Sequence, residues 1–378
     1  MFAVVGAGFS GSVMARQLAE AGYKVTVFES RNHVAGNCFT ERHETGVMKH
    51  VYGPHIFHTQ HQEVWDFINR FGEMVPYVHK VKATVRGEVF TLPINLNTIN
   101  KFFGLDLSEE EAQQFLASKI DSSISDPVTF VDQALRFVGP ELYEAFFAGY
   151  TRKQWGVDPL DLPASILARL PVRYNDDESY FSHPYQGIPR NGYTPIVEAI
   201  LEHANISVLL GTEFDPQDVE KYDHTFWTGP LDAFFKYEFG NLGYRTLDFE
   251  EEVHGGDFQG CSVMNFPDED IPITRITEHK HFAYWENHEQ TVIYRESSRL
   301  CEEGDIPYYP IRLVSEMDVL EKYLKVAGEQ TNVSFLGRLG TYRYLDMDVT
   351  IKEALVSAAR IIDMASTGAP IRPLSLTE

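Results

Sequence analysis

The chain has 378 residues, long for one compact core, so two or three subdomains are expected. A formal net charge of −23 repels nucleic acid and anionic membrane, so an anionic substrate would need a few arginines to overcome the field locally. The three cysteines, Cys38, Cys261 and Cys301, form no CxxC pair, and no uninterrupted apolar run approaches the ~20 residues of a membrane span. A cytoplasmic protein without a structural disulfide, metal site or membrane span is the expectation.

Phe2-Ala3-Val4-Val5 reads as a buried parallel strand. The run Gly6-Ala7-Gly8-Phe9-Ser10-Gly11 follows, then a helix from Ser12 to Ala21 stopped by Gly22. A second strand, Lys24 to Phe28, ends on Glu29. Strand, glycine turn, helix, strand and acid together make a dinucleotide-binding fingerprint. The glycines let the backbone approach a pyrophosphate at a helix N-terminus, and Glu29 can accept from a ribose diol. Arg31, two residues past the acid, and the turn at Gly36-Asn37 resemble the extended FAD signature of flavoproteins. Phe226-Trp227-Thr228-Gly229 is a second strand end that returns to the cofactor in that class. With one GxGxxG, no separate NADPH domain is visible.

Residues 80–94 alternate around Arg86-Gly87 and predict a hairpin. Residues 95–150 predict helices: one capped by Ser108, one over Pro127 to Val138, and one over Glu141 to Ala148. Residues 161–177, broken by Pro163 and Pro171, predict an exposed mobile loop. The β-branched runs from about 245 to 297 predict an antiparallel sheet, and a last helix spans Asp348 to Met364.

Four segments concentrate residues that bind anions and rings. The first, Tyr52 to Thr59, holds histidines at 55 and 58, with a third at 61. Its Gly-Pro turn and missing carboxylate speak for a flavin neighbour over a metal site. The others are Phe146 to Gly156, Ile166 to Tyr174, and Asp305 to Pro310 with Phe335 to Met347. In order, GPHIFHT (53–59), GYTRKQWG (149–156), LPASILARLPVR (162–173), YFSHPYQGIPRNGY (180–193), RITEHKHF (275–282), PYYPI (307–311) and GRLGTYRYLDM (337–347) resemble the bacterial UDP-galactopyranose mutases. The likeness runs from Ala3 to about Met364.

The resemblance implies interconversion of UDP-galactopyranose and UDP-galactofuranose by reduced FAD. The flavin N5 attacks the anomeric carbon and there is no net redox change. No protein nucleophile or paired carboxylate is then required. Residue by residue, it implies catalytic roles for Arg169 (a lid arginine), Arg275 (its fixed counterpart) and His58, beside the flavin. Phe146, Phe147, Tyr150, Thr151, Trp155, Tyr180, Arg245, Asn265, Tyr309 and Tyr344 correspond to substrate contacts. Gly6, Gly8, Gly11, Glu29, Arg31, Gly36, Asn37, His58, Thr228, Gly229, Arg338, Asp346 and Met347 correspond to cofactor contacts. The family also implies a homodimer and an external reductant such as NAD(P)H. This chain departs from the family at Ser297-Ser298, where relatives often carry Tyr-Pro, and in the acidic run Asp176-Asp177-Glu178.

The expected architecture is α/β. A discontinuous Rossmann-like FAD domain spans 1–75, 190–232 and 330–378. A helical insertion with a lid covers 95–180, and an antiparallel substrate sheet covers 76–94, 181–189 and 233–329. Other readings are a flavin oxidoreductase, a mutase for another UDP-sugar such as UDP-N-acetylgalactopyranose, and a non-catalytic nucleotide-sugar binder.

Overall fold

The computed structural model describes residues 1–167, 171–311 and 317–368, with 371 and 373. Five strands form a parallel sheet in the order Ile206–Leu209, Val25–Phe28, Phe2–Val5, His224–Trp227, Val333–Phe335. Its central strand is apolar because both faces are covered. On one side, Phe2 and Val4 meet Val13, Met14 and Leu18 of helix Phe9–Glu20, Ile196 and Ile200 of helix Tyr193–Leu201, and Ile351 and Ile361 of helix Met347–Ser366. On the other, Ala3, Trp227 and Phe335 meet Phe234, Leu320 and Tyr323. Residues 233–242 and helix Met317–Gly328 therefore belong by packing to the parallel sheet rather than to the substrate sheet expected from sequence.

A second sheet has seven strands in the order Tyr309–Pro310, Tyr244–Gly255, Gln290–Leu300, Arg275–Glu278, Val263–Asn265, Val81–Val85, Glu88–Leu92. The expected hairpin is present, and Arg86 and Gly87 both take positive φ (52° and 80°), which suits the twist of a two-residue turn. The sheet is mixed rather than purely antiparallel, because Val263–Asn265 runs parallel to Val81–Val85. No hairpin turn joins those two strands, so their relative direction was not readable locally. The segment near 185 also differs from expectation. Tyr185–Pro189 is the centre of a separate three-stranded sheet between Phe57–Thr59 and Met74–Pro76.

The helical insertion follows its local chemistry. Ser108 and Glu111 form a reciprocal capping box on Glu109–Lys119, and Thr129 with Asp132 does the same on Phe130–Phe137. The helix expected over 141–148 is instead α-helical only to Leu142 and continues as a π-helical segment, Tyr143–Ala148, into helix Gly149–Trp155. Such widened turns are frequent at functional sites. Among the described residues, no helix is long and apolar enough to cross a membrane.

Candidate functional site

Glycines shape the cofactor side. Helix Phe9–Glu20 starts three residues before the predicted Ser12, so Gly11 lies in its first turn. A Cβ on Gly11 would stand 2.0 Å from the Gly6 carbonyl oxygen. Gly6, at φ +100°, leaves room for the Thr228 hydroxyl, which donates to the Val5 carbonyl at 2.7 Å. Gly8 and Gly36 face each other, so that a Cβ on Gly36 would reach 3.3 Å from the Gly8 Cα. Gly337 in the Gly337–Gly340 turn packs more closely still on Ser10, where a Cβ would reach 2.8 Å from the Ser10 hydroxyl. The helix has no side-chain cap and no acid in its first turn, which leaves its N–H groups to an anion. Buried Glu29 accepts from the Ala7 and Arg31 amides at 2.8 and 3.0 Å. Arg31 donates to Asn37 at 2.9 Å and lies over the Tyr52 ring, while its buried Nη1 finds no partner among the described residues. An open backbone cradle beside an orphaned cationic nitrogen fits a dinucleotide pyrophosphate. Gly11→Ala is expected to yield protein that purifies with less than a tenth of its flavin, read from the absorbance ratio; full loading would contradict this close packing.

The substrate side lies where the sheet meets the insertion. Asn265 and Arg275 are directly paired across their strands. Arg275 donates through Nε to Glu296 Oε2 at 2.7 Å, and the Glu296 carboxylate is wholly buried. Burial is the largest influence on Arg275 and would lower its pKa; the charge and hydrogen bond of Glu296, together with Tyr150 and Tyr309, outweigh it and raise the pKa, so the guanidinium is a permanent cation. Neither Nη of Arg275 is bonded to a described residue, which leaves two donors for a ligand. The charge of Arg275 is felt at Tyr150, Tyr180, Tyr309, His55 and His79, which places them around it. Tyr309 and Tyr344 stack at 5.6 Å, Trp155 lies 6.2 Å from Tyr309, and Arg338 sits over both tyrosine rings. Burial pushes the Tyr180 and Tyr309 phenols up to about 12, so both remain hydrogen-bond donors at neutral pH.

Arg245 is a buried cation with no carboxylate partner among the described residues. Its Nε donates to the Gln154 carbonyl (3.1 Å) and to Ser298 Oγ (3.0 Å), and Ser298 in turn donates to Gln154 O at 2.7 Å. Gly156, at φ +67°, makes this placement work, because a Cβ there would lie 2.4 Å from Arg245 Nη1. The departure at Ser298 thus supports a predicted site arginine.

Most predicted residues converge, with exceptions. The Phe146 ring packs edge-on against Phe90 and Phe102 in the core, while Phe147 and Tyr180 line an apolar cavity with Leu92, Ile94, Leu167 and Val172. His58 Nδ1 pairs with His183 Nδ1 at 2.8 Å, and its ring stacks on Phe181. His55, three residues before His58, lies near Arg338 and Arg275. Its Nδ1 donates to Gly53 O at 2.9 Å; burial first, then the charges of Arg338 and Arg275, hold its pKa down to about 4. It is therefore a neutral imidazole between the two halves of the site. His61 contacts Lys352 instead of joining the other two histidines. Arg169 lies outside the described residues. Sequence reasoning also missed Glu296, whose signal was an acid following Tyr-Arg in a strand that opens on the β-branched run Thr291-Val292-Ile293.

A family model described as UDP-galactopyranose mutase matches residues 145–344, and one described as an NAD(P)-binding Rossmann-like domain matches residues 4–71. The chain is 60% identical over 356 residues to a probable UDP-galactopyranose mutase of Klebsiella pneumoniae, covering 94% of this chain and 93% of the relative. It is 52% identical to a dTDP-fucopyranose mutase of Escherichia coli, covering 94% and 96%. A crystal structure of reduced UDP-galactopyranose mutase shares the fold at a TM-score of 0.75, with 16% identity and coverage of 99% and 98%. Wild-type putrescine oxidase bound to putrescine shares it more distantly, at 0.57, with 12% identity and coverage of 96% and 98%. With the family match spanning more than half of its length and a 60% identical relative spanning nearly all of it, the chain belongs to the UDP-galactopyranose mutase family.

Proposed function

We propose that this protein is an isomerase that interconverts UDP-galactopyranose and UDP-galactofuranose without net redox change, with reduced FAD as its cofactor. The observation that carries the reading is Arg275: a permanent cation with two uncommitted donors, seated on a buried carboxylate among tyrosines in a protein of net charge −23. Gly6, Gly8, Gly11, Gly36, Glu29, Arg31, Asn37, Thr228, Gly229, Arg338, Asp346 and Met347 would hold FAD. Reduced flavin, when bound, supplies the nucleophile for the anomeric carbon, which is why the chain needs none of its own.

The remaining work falls to side chains. Arg275 holds the diphosphate in the bound sugar nucleotide and in the departing nucleotide alike, aided by the Tyr309 and Tyr344 hydroxyls and, as the family likeness implies, by Arg169. Tyr150, Thr151, Phe147, Tyr180 and Asn265 seat the nucleoside, and Trp155 shields the sugar from water. Arg245 adds positive potential to the pocket. Neutral His55, together with His58, would stand beside the flavin. Cytoplasmic location, a homodimer and an external reductant such as NAD(P)H complete the proposal, supported by the family likeness and the three free cysteines.

The 52% identical dTDP-fucopyranose mutase motivates a second reading in which the nucleotide is dTDP and the sugar lacks its 6-hydroxyl. Dithionite-reduced protein incubated separately with UDP-galactofuranose and with dTDP-fucofuranose decides the matter by product chromatography. Pyranose product from the first alone supports the main reading. Product only from the second replaces it. Flavin bleaching by substrate without dithionite would instead indicate an oxidoreductase.

A further inference from the structure

Lys153 lies on helix Gly149–Trp155, which carries Tyr150, Thr151 and Trp155. Its ammonium does not reach outward to the acids nearby. It donates to four backbone carbonyls: Phe266 (2.5 Å), Asp268 (2.8 Å), Ile271 (2.8 Å) and Ile273 (3.1 Å). An ammonium has three hydrogens, so four acceptors share them, and the cage is a close match to one compact cation. A planar guanidinium could not enter it in the same way.

These carbonyls belong to the loop that joins Asn265 to Arg275. The base of the loop is closed by the Phe266 amide on Thr274 O (2.9 Å) and by the Thr274 amide on Glu296 O (2.8 Å). Its position therefore fixes where Arg275 stands relative to Glu296. Gly149 brings the helix against the same loop, since a Cβ there would lie 2.3 Å from the Pro267 carbonyl oxygen. Arg152 pairs with Glu269 on the exposed side, a contact that adds little. Lys153 is the strong link between the helix and the loop.

We propose that Lys153 is a positioning residue that sets the separation between the aromatic half of the nucleotide site, on helix Gly149–Trp155, and the Asn265–Arg275 half. It touches neither substrate nor cofactor. The inference rests on the UDP-sugar reading above. Because the cage sits on the nucleotide side of the cleft, its loss weakens ground state and transition state alike, which raises KM more than it lowers kcat.

The test uses flavin-loaded wild type, K153A and K153R, with UDP affinity, KM, kcat and flavin content measured for each. Expected for K153A is a loss in UDP affinity and a rise in KM of about ten- to a hundredfold, with kcat within a few fold and flavin content unchanged. The Arg variant should behave like K153A despite keeping its charge. Added n-propylammonium should restore the UDP affinity of K153A, whereas tetramethylammonium at equal ionic strength should not. Wild-type affinity in K153A, a normal KM in K153R, or equal rescue by both cations would overturn the proposal. If K153A does not fold, the KM of K153R decides alone. If wild type itself fails to bind UDP, the functional reading is what falls.

Discussion

Replacing Arg275 by alanine is expected to lower kcat/KM by about a thousandfold and to destabilise the fold at the same time. The first effect follows from its role as a fixed, desolvated cation for a diphosphate: losing a charge-assisted bidentate partner in a closed site removes roughly 4 kcal/mol of transition-state binding. The second follows from Glu296. Its carboxylate is wholly buried, its Oε1 has no partner among the described residues, and its Oε2 depends on Arg275. Removing the arginine strands a buried anion, which typically costs about 3–5 kcal/mol. The two effects separate in a double variant. R275M/E296Q should regain most of the wild-type unfolding midpoint in urea, because no buried charge is left unpaired, yet remain as inactive as R275A. Steady-state kinetics on reduced enzyme and chemical unfolding report the two quantities independently. Wild-type KM in R275A would remove this residue from the site.

Stability should be nearly flat from pH 8 to pH 7 and fall steeply below about pH 6, through the titration range of an unfolded histidine. Five histidines are held neutral by burial. His55 and His224 are pushed down to about 4, His79 and His279 to about 3, and His50 well below its usual value of 6.5. The hydrogen bonds agree: His279 Nδ1 accepts from the His50 amide, and His50 Nδ1 accepts from the His55 amide, so both rings carry their proton on Nε2. Each folded pKa lies below its unfolded value. The unfolded chain therefore binds protons first as pH falls, and each such group contributes a loss of about 1.4 kcal/mol per pH unit between the two values. His281 works the other way. Its pKa is raised, chiefly by its hydrogen bond to Glu278, so its contribution is full below the unfolded value and is lost as pH rises through the folded one. One group of that sign cannot offset five. Glu278, held at about 2 because its hydrogen bonds outweigh burial, loses its contribution only at much lower pH. Urea midpoints at closely spaced pH values test this, and an unchanged midpoint from pH 7 to pH 4.5 would remove the neutral-histidine account.

Where the physics is local, the residues announced the structure. Arg86-Gly87 sets its own turn, Ser108 and Glu111 cap their own helix, and Gly6 to Gly11 meets Glu29 across a single strand spacing. Arg275 falls in a motif of the family likeness and Asn265 was matched to a nucleoside contact, but that the two face each other across paired strands is seen only in the fold. The rest depends on chain segments far apart in sequence. Tyr185–Pro189 pairs with strands more than a hundred residues earlier. Helix Met317–Gly328 looks like any amphipathic helix until its apolar side is seen against Trp227 and Phe335. Lys153 reads as one more surface lysine, because nothing in the letters 266–273 says that four carbonyls will turn toward a single point. Which imidazole of the segment lies near Arg275 and Arg338 was not readable either, since His55 and His58 are three residues apart and only the tertiary packing separates them.

The widened turn at Tyr143–Ala148 has a consequence for how this helix can change. A π-helical segment holds one residue more than a regular helix needs to cover the same rise. Deleting a single residue there would close the widened turn into a regular helix, and the side chains beyond it would keep nearly the same phase around the axis, because the wide turn already absorbs the extra residue. Tyr150, Thr151, Lys153 and Trp155 would stay on the cleft side. The same deletion inside helix Gly149–Trp155 would instead swing every later side chain by about 100°. The widened turn is thus the one place in this helix where chain length can change without turning the recognition face away from the cleft.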